Sequence, residues 1–197
     1  MSSKFIRKNI EESYNVKAKM VKDNALLTSI TDAADNIIAA YNNGKKVLVA
    51  GNGGSAADAQ HISGELISRF YFSRPGLAAI ALHTDTSTLT AIGNDYGYEY
   101  VFARQIEANG VTGDVFIALS TSGNSPNILH AIRAAKTKGI SVIGMTGSSG
   151  GAMDALCDIC IKIPSTNTPR IQEGHMLTYH AICGMVEEKL FATRYRK

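Results

Sequence analysis

The chain has 197 residues, 45% of them hydrophobic and 19% charged, enough to bury a sizeable core in one domain. Lys and Arg number 20 against 17 Asp and Glu, and the net +3 is scattered along the chain, which argues against a nucleic-acid partner. The three cysteines make no disulfide framework, no apolar run nears the ~20 residues of a membrane span, and the opening MSSKFIRKNIEESYN has no apolar core of an export signal. A cytoplasmic protein with no membrane partner is expected.

In chain order, Ile6, Ile10, Tyr14, Ala18 and Val21 recur at about one helical turn, and Leu27, Ile30, Ile37 and Ile38 continue the pattern. Residues 1–43 therefore read as a helical region. Residues 44–197 read as an α/β core with a long terminal helix, the whole forming one domain. Lys46 to Ala50 (KVLVA) reads as a buried strand, followed by a helix from Ser55 to Phe72 and a strand from Leu77 to Leu82. A helical stretch from Thr86 to Asn109, interrupted at Gly93 and Gly97, leads to a strand from Asp114 to Leu119. The helix Pro126–Lys138, the strands Ile140–Met145 and Asp158–Ile163, and a helix from Pro169 to Leu190 complete the chain. Strict alternation implies right-handed βαβ units. The predicted fold is a flavodoxin-like αβα sandwich around a five-stranded parallel sheet of order 2-1-3-4-5, with long N- and C-terminal helices.

Two loops have the composition of anion cradles. Gly51-Asn52-Gly53-Gly54-Ser55 joins the first strand directly to a helix, where close backbone approach and unpaired N–H groups favour a negative ligand. Gly51, Gly53 and Ala56 also fit a dinucleotide fingerprint, but no acidic residue follows at the ribose-binding spacing. The third strand ends in Ser120-Thr121-Ser122-Gly123-Asn124-Ser125-Pro126. Capping accounts for Ser125 and leaves three hydroxyls, at Ser120, Thr121 and Ser122, suited to a phosphate monoester. In the predicted strand order, strands 1 and 3 flank the topological switch point, so both loops open at the crevice where ligands bind.

His61, Glu65 and Arg69, spaced four apart, are expected to share a polar stripe opposite Ala59, Ile62, Leu66 and Phe70. Such a stripe is either a solvated face with a Glu65–Arg69 pair or the start of a metal site at His61 and Glu65. On the last helix, Thr168 is a candidate N-cap. Met176, Tyr179, Cys183, Val186 and Leu190 form an apolar stripe with His180 at its edge, and His175 reads as structural. Cys157 and Cys160 form a C-x-x-C in a strand-like stretch, better suited to packing than to redox chemistry.

Taken together, GNGGSAADAQH, STSGNS and TPRIQE make the chain resemble the sugar isomerase (SIS) domain family, and within it the phosphoheptose isomerases, over nearly its whole length. The resemblance implies an aldose–ketose isomerase acting on sedoheptulose 7-phosphate through an enediol, as the first step towards nucleotide-activated heptose for lipopolysaccharide and other surface glycans. It implies one Zn2+ per subunit held by His61, Glu65, Gln172 and His180, with Glu65 and His180 as the acid/base pair. Substrate contacts would come from Asn52, Gly53, Gly54, Ser55, Arg69, Asn94, Asp95, Ser120, Thr121, Ser122, Ser125 and Gln172, in a homotetramer with active sites between subunits. On an ideal helix Gln172 and His180 lie about 80° apart in angle and roughly 12 Å apart along the axis, which sets His61, Glu65 and His180 ahead of Gln172 as ligands. The family also holds non-catalytic members that bind the bacterial replication initiator, and sensors or isomerases of other sugar phosphates. The initiator-binding relatives lack the Glu65/His180 combination kept here.

Overall fold

A computed structural model describes residues 2–195. Two helices open the chain, α1 (Ser2–Met20) and α2 (Asn24–Asn42), the second started by Asp23, whose Oδ1 accepts the Leu26 N–H at 3.0 Å. The α/β alternation then follows: β1 (Val47–Ala50), α3 (Gly54–Ile67), β2 (Ala79–Ala81), α4 (Thr86–Tyr96), α5 (Ala103–Asn109), β3 (Val115–Leu119), α6 (Pro126–Thr137), β4 (Ser141–Thr146), β5 (Ile159–Lys162) and α7 (Thr168–Tyr195). The five strands are parallel and ordered β2-β1-β3-β4-β5, the order the alternation predicts.

β1 and β3 are buried throughout, as strands covered on both faces must be. Their residues alternate between two cores. Val47, Val49, Ile117 and Leu119 face α2, α3 and α7, while Leu48, Ala50, Phe116 and Ala118 face α5 and α6. This is a three-layer αβα sandwich, with α1 lying outside on α7. The start of the sheet is tied by Asp114, which accepts Lys46 Nζ at 2.6 Å and the backbone N–H of both Lys46 and Val111.

Three expected boundaries shift. Thr86–Asn109 is not one interrupted helix: α4 runs straight through Gly93 and stops at Gly97, whose φ of +97° no helix can continue, and a 3-10 turn at Tyr98–Tyr100 precedes α5. Thr168 is the first residue of α7 rather than its cap. α3 ends at Ile67, not Phe72, so Arg69 lies beyond the helix. A further difference concerns the first apolar pattern: Ile6, Ile10 and Tyr14 of α1 and Val21 just past its end face outward and Ala18 is half-buried, while Val16 and Met20 are the residues α1 buries.

The early stop of α3 has a cause in α7. Glu187, with no exposed surface, accepts the N–H groups of Phe70 (2.7 Å), Tyr71 (2.6 Å) and Phe72 (3.1 Å) and the Nε of Arg74 at 3.0 Å. Arg74 in turn donates to the carbonyls of Glu65 and Leu66, two of those left open at the end of α3. Burial alone would raise the Glu187 carboxyl, but these four donors outweigh it and hold the group below the usual glutamate range.

Two predictions follow from these buried groups. Glu187→Ala strands the Arg74 guanidinium and three backbone donors, and a loss of about 3–5 kcal/mol is expected. It would be read as a fall in melting temperature on the order of 10 °C. The second concerns His175, fully buried with Nε2 against the Thr146 carbonyl at 3.3 Å. Burial lowers its pKa to about 4. Between pH 6.5 and about 4 the unfolded chain binds the proton and the native state does not. Stability is therefore complete above pH 6.5 and falls as the pH drops through that window, by about 3 kcal/mol in all. Urea unfolding from pH 7 to pH 4 measures it, and His175→Gln, which does not titrate, flattens that part of the profile.

Candidate active site

The two Gly/Ser loops leave β1 and β3 side by side at the carboxyl edge of the sheet. After β1, the chain reaches α3 through Gly53, with Gly54 the first helical residue. A Cβ at Gly54 would lie 2.4 Å from Gln172 Nε2, so the Gln172 amide of α7 rests directly on the start of α3. Ser55 is buried, while Gly53 and Gly54 stay open. After β3, Gly123 (φ +68°) lets the loop pass under the β4 loop, where a Cβ would sit 2.0 Å from the Gly150 carbonyl oxygen.

The hydroxyls of this second loop converge. Ser120 Oγ lies 3.0 Å from Ser125 Oγ and 3.5 Å from Ser122 Oγ. Ser125 occupies the N-cap position of α6, but its side chain makes no capping hydrogen bond. The hydroxyl assigned to capping on sequence grounds is turned instead into the serine cluster. Thr121 and Ser122 line a cavity of about 290 Å³ with Asn124, Ser148, Ser165 and Thr168. Ser148 and Ser165 belong to the loops after β4 and β5, which the sequence reading passed over, and Thr168 opens α7. The run Gly147-Ser148-Ser149-Gly150-Gly151, a third Gly/Ser loop after a parallel strand, was the available signal.

The loops are joined by an amide pair that no motif revealed. Asn52 and Asn127 each donate Nδ2–H to the other's Oδ1 at 2.9 Å, and the Tyr98 hydroxyl donates to Asn52 Oδ1 at 3.2 Å. Asn127, the second residue of α6, is buried. Around this pair, Asn52, Ser125 and Asn127 line a cavity of about 590 Å³ with Tyr98, Glu99 and His130.

α3 and α7 run side by side in the same direction, touching first at Gly54/Gln172, next at His61/Tyr179 and last at Phe70/Glu187. At the middle level His61 Nε2 stands 3.0 Å from Glu65 Oε1 and 3.4 Å from His180 Nε2. One donor atom from each of the three residues falls within 4.8 Å of the others. Ligand atoms about 2.0–2.1 Å from a tetrahedral ion stand roughly 3.4 Å apart, so the His/Glu/His cluster has the spacing and donor set of a group able to hold a metal ion. On the far side of His61, Nδ1 lies 2.9 Å from the Tyr179 hydroxyl, which donates to Asp58 Oδ1 at 3.3 Å. Desolvation lowers the His180 pKa, and the neighbouring His61 lowers it further, so its ring is neutral with a lone pair free at neutral pH.

Other expected site residues lie apart. Arg69 is exposed past the end of α3, and no ion pair joins it to Glu65 among the described residues; Glu65 pairs with His61 instead. Asn94 and Asp95 are exposed near the end of α4, with Asn94 Nδ2 donating to Asp95 Oδ1 at 2.8 Å. Gln172 lies at the Gly54 level, about two turns along the helices from the His/Glu/His level. Cys157 and Cys160 are free and half-buried, and burial together with their mutual contact raises the Cys157 thiol well above its ordinary value, away from thiolate chemistry.

Comparison with known proteins bears on this arrangement. The SIS domain family matches residues 10–147. Phosphoheptose isomerase 2 of Campylobacter jejuni is 63% identical over 95% of this chain and 93% of its own length. The phosphoheptose isomerase of Aneurinibacillus thermoaerophilus is 57% identical over 97% and 96%. The solved phosphoheptose isomerase of Neisseria gonorrhoeae superposes with a TM-score of 0.90 at 40% identity, over 95% of this chain and 100% of that one. With its sheet order, its paired Gly/Ser loops and its full-length likeness to these enzymes, the chain belongs to the SIS domain family, as an isomerase of the phosphoheptose isomerase group.

Proposed function

We propose that the protein interconverts sedoheptulose 7-phosphate and D-glycero-D-manno-heptose 7-phosphate, in the cytoplasm, supplying the first intermediate of nucleotide-activated heptose for surface glycans. The observation that carries this reading is the meeting of Glu65 from α3 and His180 from α7 at one imidazole, His61, beside two hydroxyl-rich loops. His61, Glu65 and His180 would hold the metal, with Zn2+ the ion their donor set suits and Gln172 a fourth ligand if its amide swings from Gly54. Bound zinc would supply Lewis acidity towards the oxygens beside the reacting carbons.

The residues of the chain do the rest. Moving a proton between C1 and C2 requires removal from one carbon and delivery to the other, so two groups of opposite protonation must flank the substrate. Glu65 and His180 would fill those roles in turn: Glu65 takes the proton from one carbon and passes it to the oxygen of the next, while the neutral His180 takes the hydroxyl proton beside the first carbon and, now an acid, delivers one to the second carbon, so that both groups end as they began. The phosphate would sit on the Ser120, Thr121, Ser122 and Ser125 hydroxyls and the N–H groups of Gly53 and Gly54 at the start of α3, beside Ser55, whose own N–H donates to the Asn52 carbonyl. Holding the phosphate away from the reacting carbons applies binding energy where it orients the sugar.

Arg69, Asn94 and Asp95 would then reach substrate from the rim, in a homotetramer whose sites lie between subunits. The outward stripe of α1 supports that assembly: Phe5 and Tyr14 are each 69% exposed and Ile10 64%, an apolar face an isolated subunit leaves to water.

Three outcomes are expected. Purified protein turns over sedoheptulose 7-phosphate with zinc and stops with chelator, and Glu65→Gln and His180→Gln each lower kcat by about 10²–10⁴-fold; a folded, metal-loaded wild type without turnover would sink this reading. Asn127→Ala, which leaves the Asn52 Nδ2–H without its acceptor, raises KM about tenfold in steady-state assays while kcat falls less. Ile10→Glu shifts the mass measured by light scattering from tetramer towards smaller species.

A further inference from the structure

Tyr179 was read as one rung of an apolar stripe and Asp58 belongs to no motif, yet both are buried, at 1% and 6% exposure. They form a chain that ends on His61. The Tyr179 hydroxyl stands between Asp58 Oδ1 at 3.3 Å and His61 Nδ1 at 2.9 Å. Each side of that hydroxyl has a different capacity. The phenol has one hydrogen to give, an ionised carboxylate has none, and a neutral imidazole carries its hydrogen on one nitrogen only.

Two arrangements are therefore available. In the first, Tyr179 donates to Asp58 and its oxygen accepts from Nδ1–H, which leaves the lone pair of His61 on Nε2 only 3.0 Å from Glu65 Oε1, two acceptors that a cation between them brings together. In the second, Tyr179 donates to Nδ1, and the ring hydrogen moves to Nε2, where it points at Glu65 and blocks a cation. The second arrangement also leaves Asp58 without a donor. Its Oδ2 is already buried with no partner among the described residues, so losing the Tyr179 bond strands a whole carboxylate. Asp58 thus biases the hydroxyl, and the hydroxyl biases the ring.

We propose that Tyr179 and Asp58 are positioning residues that hold His61 with its hydrogen on Nδ1 and its Nε2 lone pair turned into the His61–Glu65–His180 cluster, so that the cluster accepts a divalent cation. The inference rests on the metal reading given above and deepens it. Hydrogen-bonded partners behind a ligating histidine commonly change metal affinity 10- to 100-fold. Here the outer group acts through a second residue, so a carboxylate that touches no ligand atom governs affinity.

The test uses Zn2+ and the purified full-length protein, with affinity measured by chelator competition. Tyr179→Phe, which keeps the buried ring, is expected to weaken Zn2+ binding about tenfold. Asp58→Ala is expected to weaken it comparably, because the freed hydroxyl then donates to Nδ1. Since Asp58 acts through Tyr179, the double variant should lose no more than Tyr179→Phe alone. In nitrogen-edited spectra of the zinc-loaded protein, a slowly exchanging His61 Nδ1–H is expected in the wild type and is lost in Tyr179→Phe. Melting curves verify folding; should Asp58→Ala not fold, Tyr179→Phe and the Nδ1–H signal decide. Unchanged affinity in Tyr179→Phe, or losses that add in the double variant, would overturn the inference while leaving the isomerase reading intact. Wild type that binds zinc but does not turn over the heptose phosphate removes the reaction and leaves the inference standing. Wild type that binds no zinc overturns the inference together with the metal reading.

Discussion

The carboxylate of Glu187 is buried in α7, where it gathers three consecutive backbone N–H groups and the Arg74 guanidinium from the segment after α3. The rest of the site depends on this knot. A buried charge is tolerated only when its hydrogen-bonding capacity is met, and here both carboxylate oxygens are engaged. Satisfying Glu187 forces α3 to end at Ile67 and turns the chain back over α7. Arg74 closes the arrangement by accepting the geometry of both helices at once, bonded to Glu187 on one and to the last carbonyls of the other. Phe70 and Tyr71 then pack on Gly184, where a Cβ would lie 2.9 Å from the Tyr71 ring and hold it off.

With the ends locked, α3 and α7 are in register along their length. The register sets what meets what: Gln172 on Gly54 at the mouth of the first loop, His180 and Tyr179 on His61 in the middle, Glu187 beneath Phe70 at the far end. A slip of one turn would carry His180 about 5.4 Å from His61 and dissolve the cluster. The sheet supplies the other axis. Because β1 and β3 are neighbours, the loops that follow them open together, and the Asn52–Asn127 pair fastens one to the other. The serine cluster and the His/Glu/His cluster thereby sit on different elements, set apart by the packed core.

Much of this was legible residue by residue. The hydrophobic runs at Val47–Ala50 and Val115–Leu119 marked fully buried strands, and their alternation with helices led to the sheet order. The Gly/Ser loops stood out because glycine and hydroxyl residues crowd a strand-to-helix turn for few reasons other than a ligand. His61 and Glu65 were visible as an i, i+4 pair. Arg69 was drawn into the same stripe wrongly, because the helix stops two residues before it for a reason that lies in α7. The outward stripe of α1 reads the same in sequence as a core-facing one; periodicity reports that a face is apolar and not what covers it.

The sequence by itself determined the layered α/β fold, the two Gly/Ser loops at its switch point and two of the three residues of the His/Glu cluster, since these are local: each is written within one turn or one strand–loop–helix unit. The meeting of His180 with His61 was implied by the family resemblance and not by any local pattern, while tertiary structure alone decided that Tyr179 leaves its apolar stripe to bond His61, that Ser125 turns from capping to the serine cluster, and that Asn127 holds Asn52. Those contacts join positions on different elements, most of them over 70 residues apart. Nothing in the local periodicity of either partner records such a contact, because it arises only when the packing of two helices on one sheet has fixed their relative height.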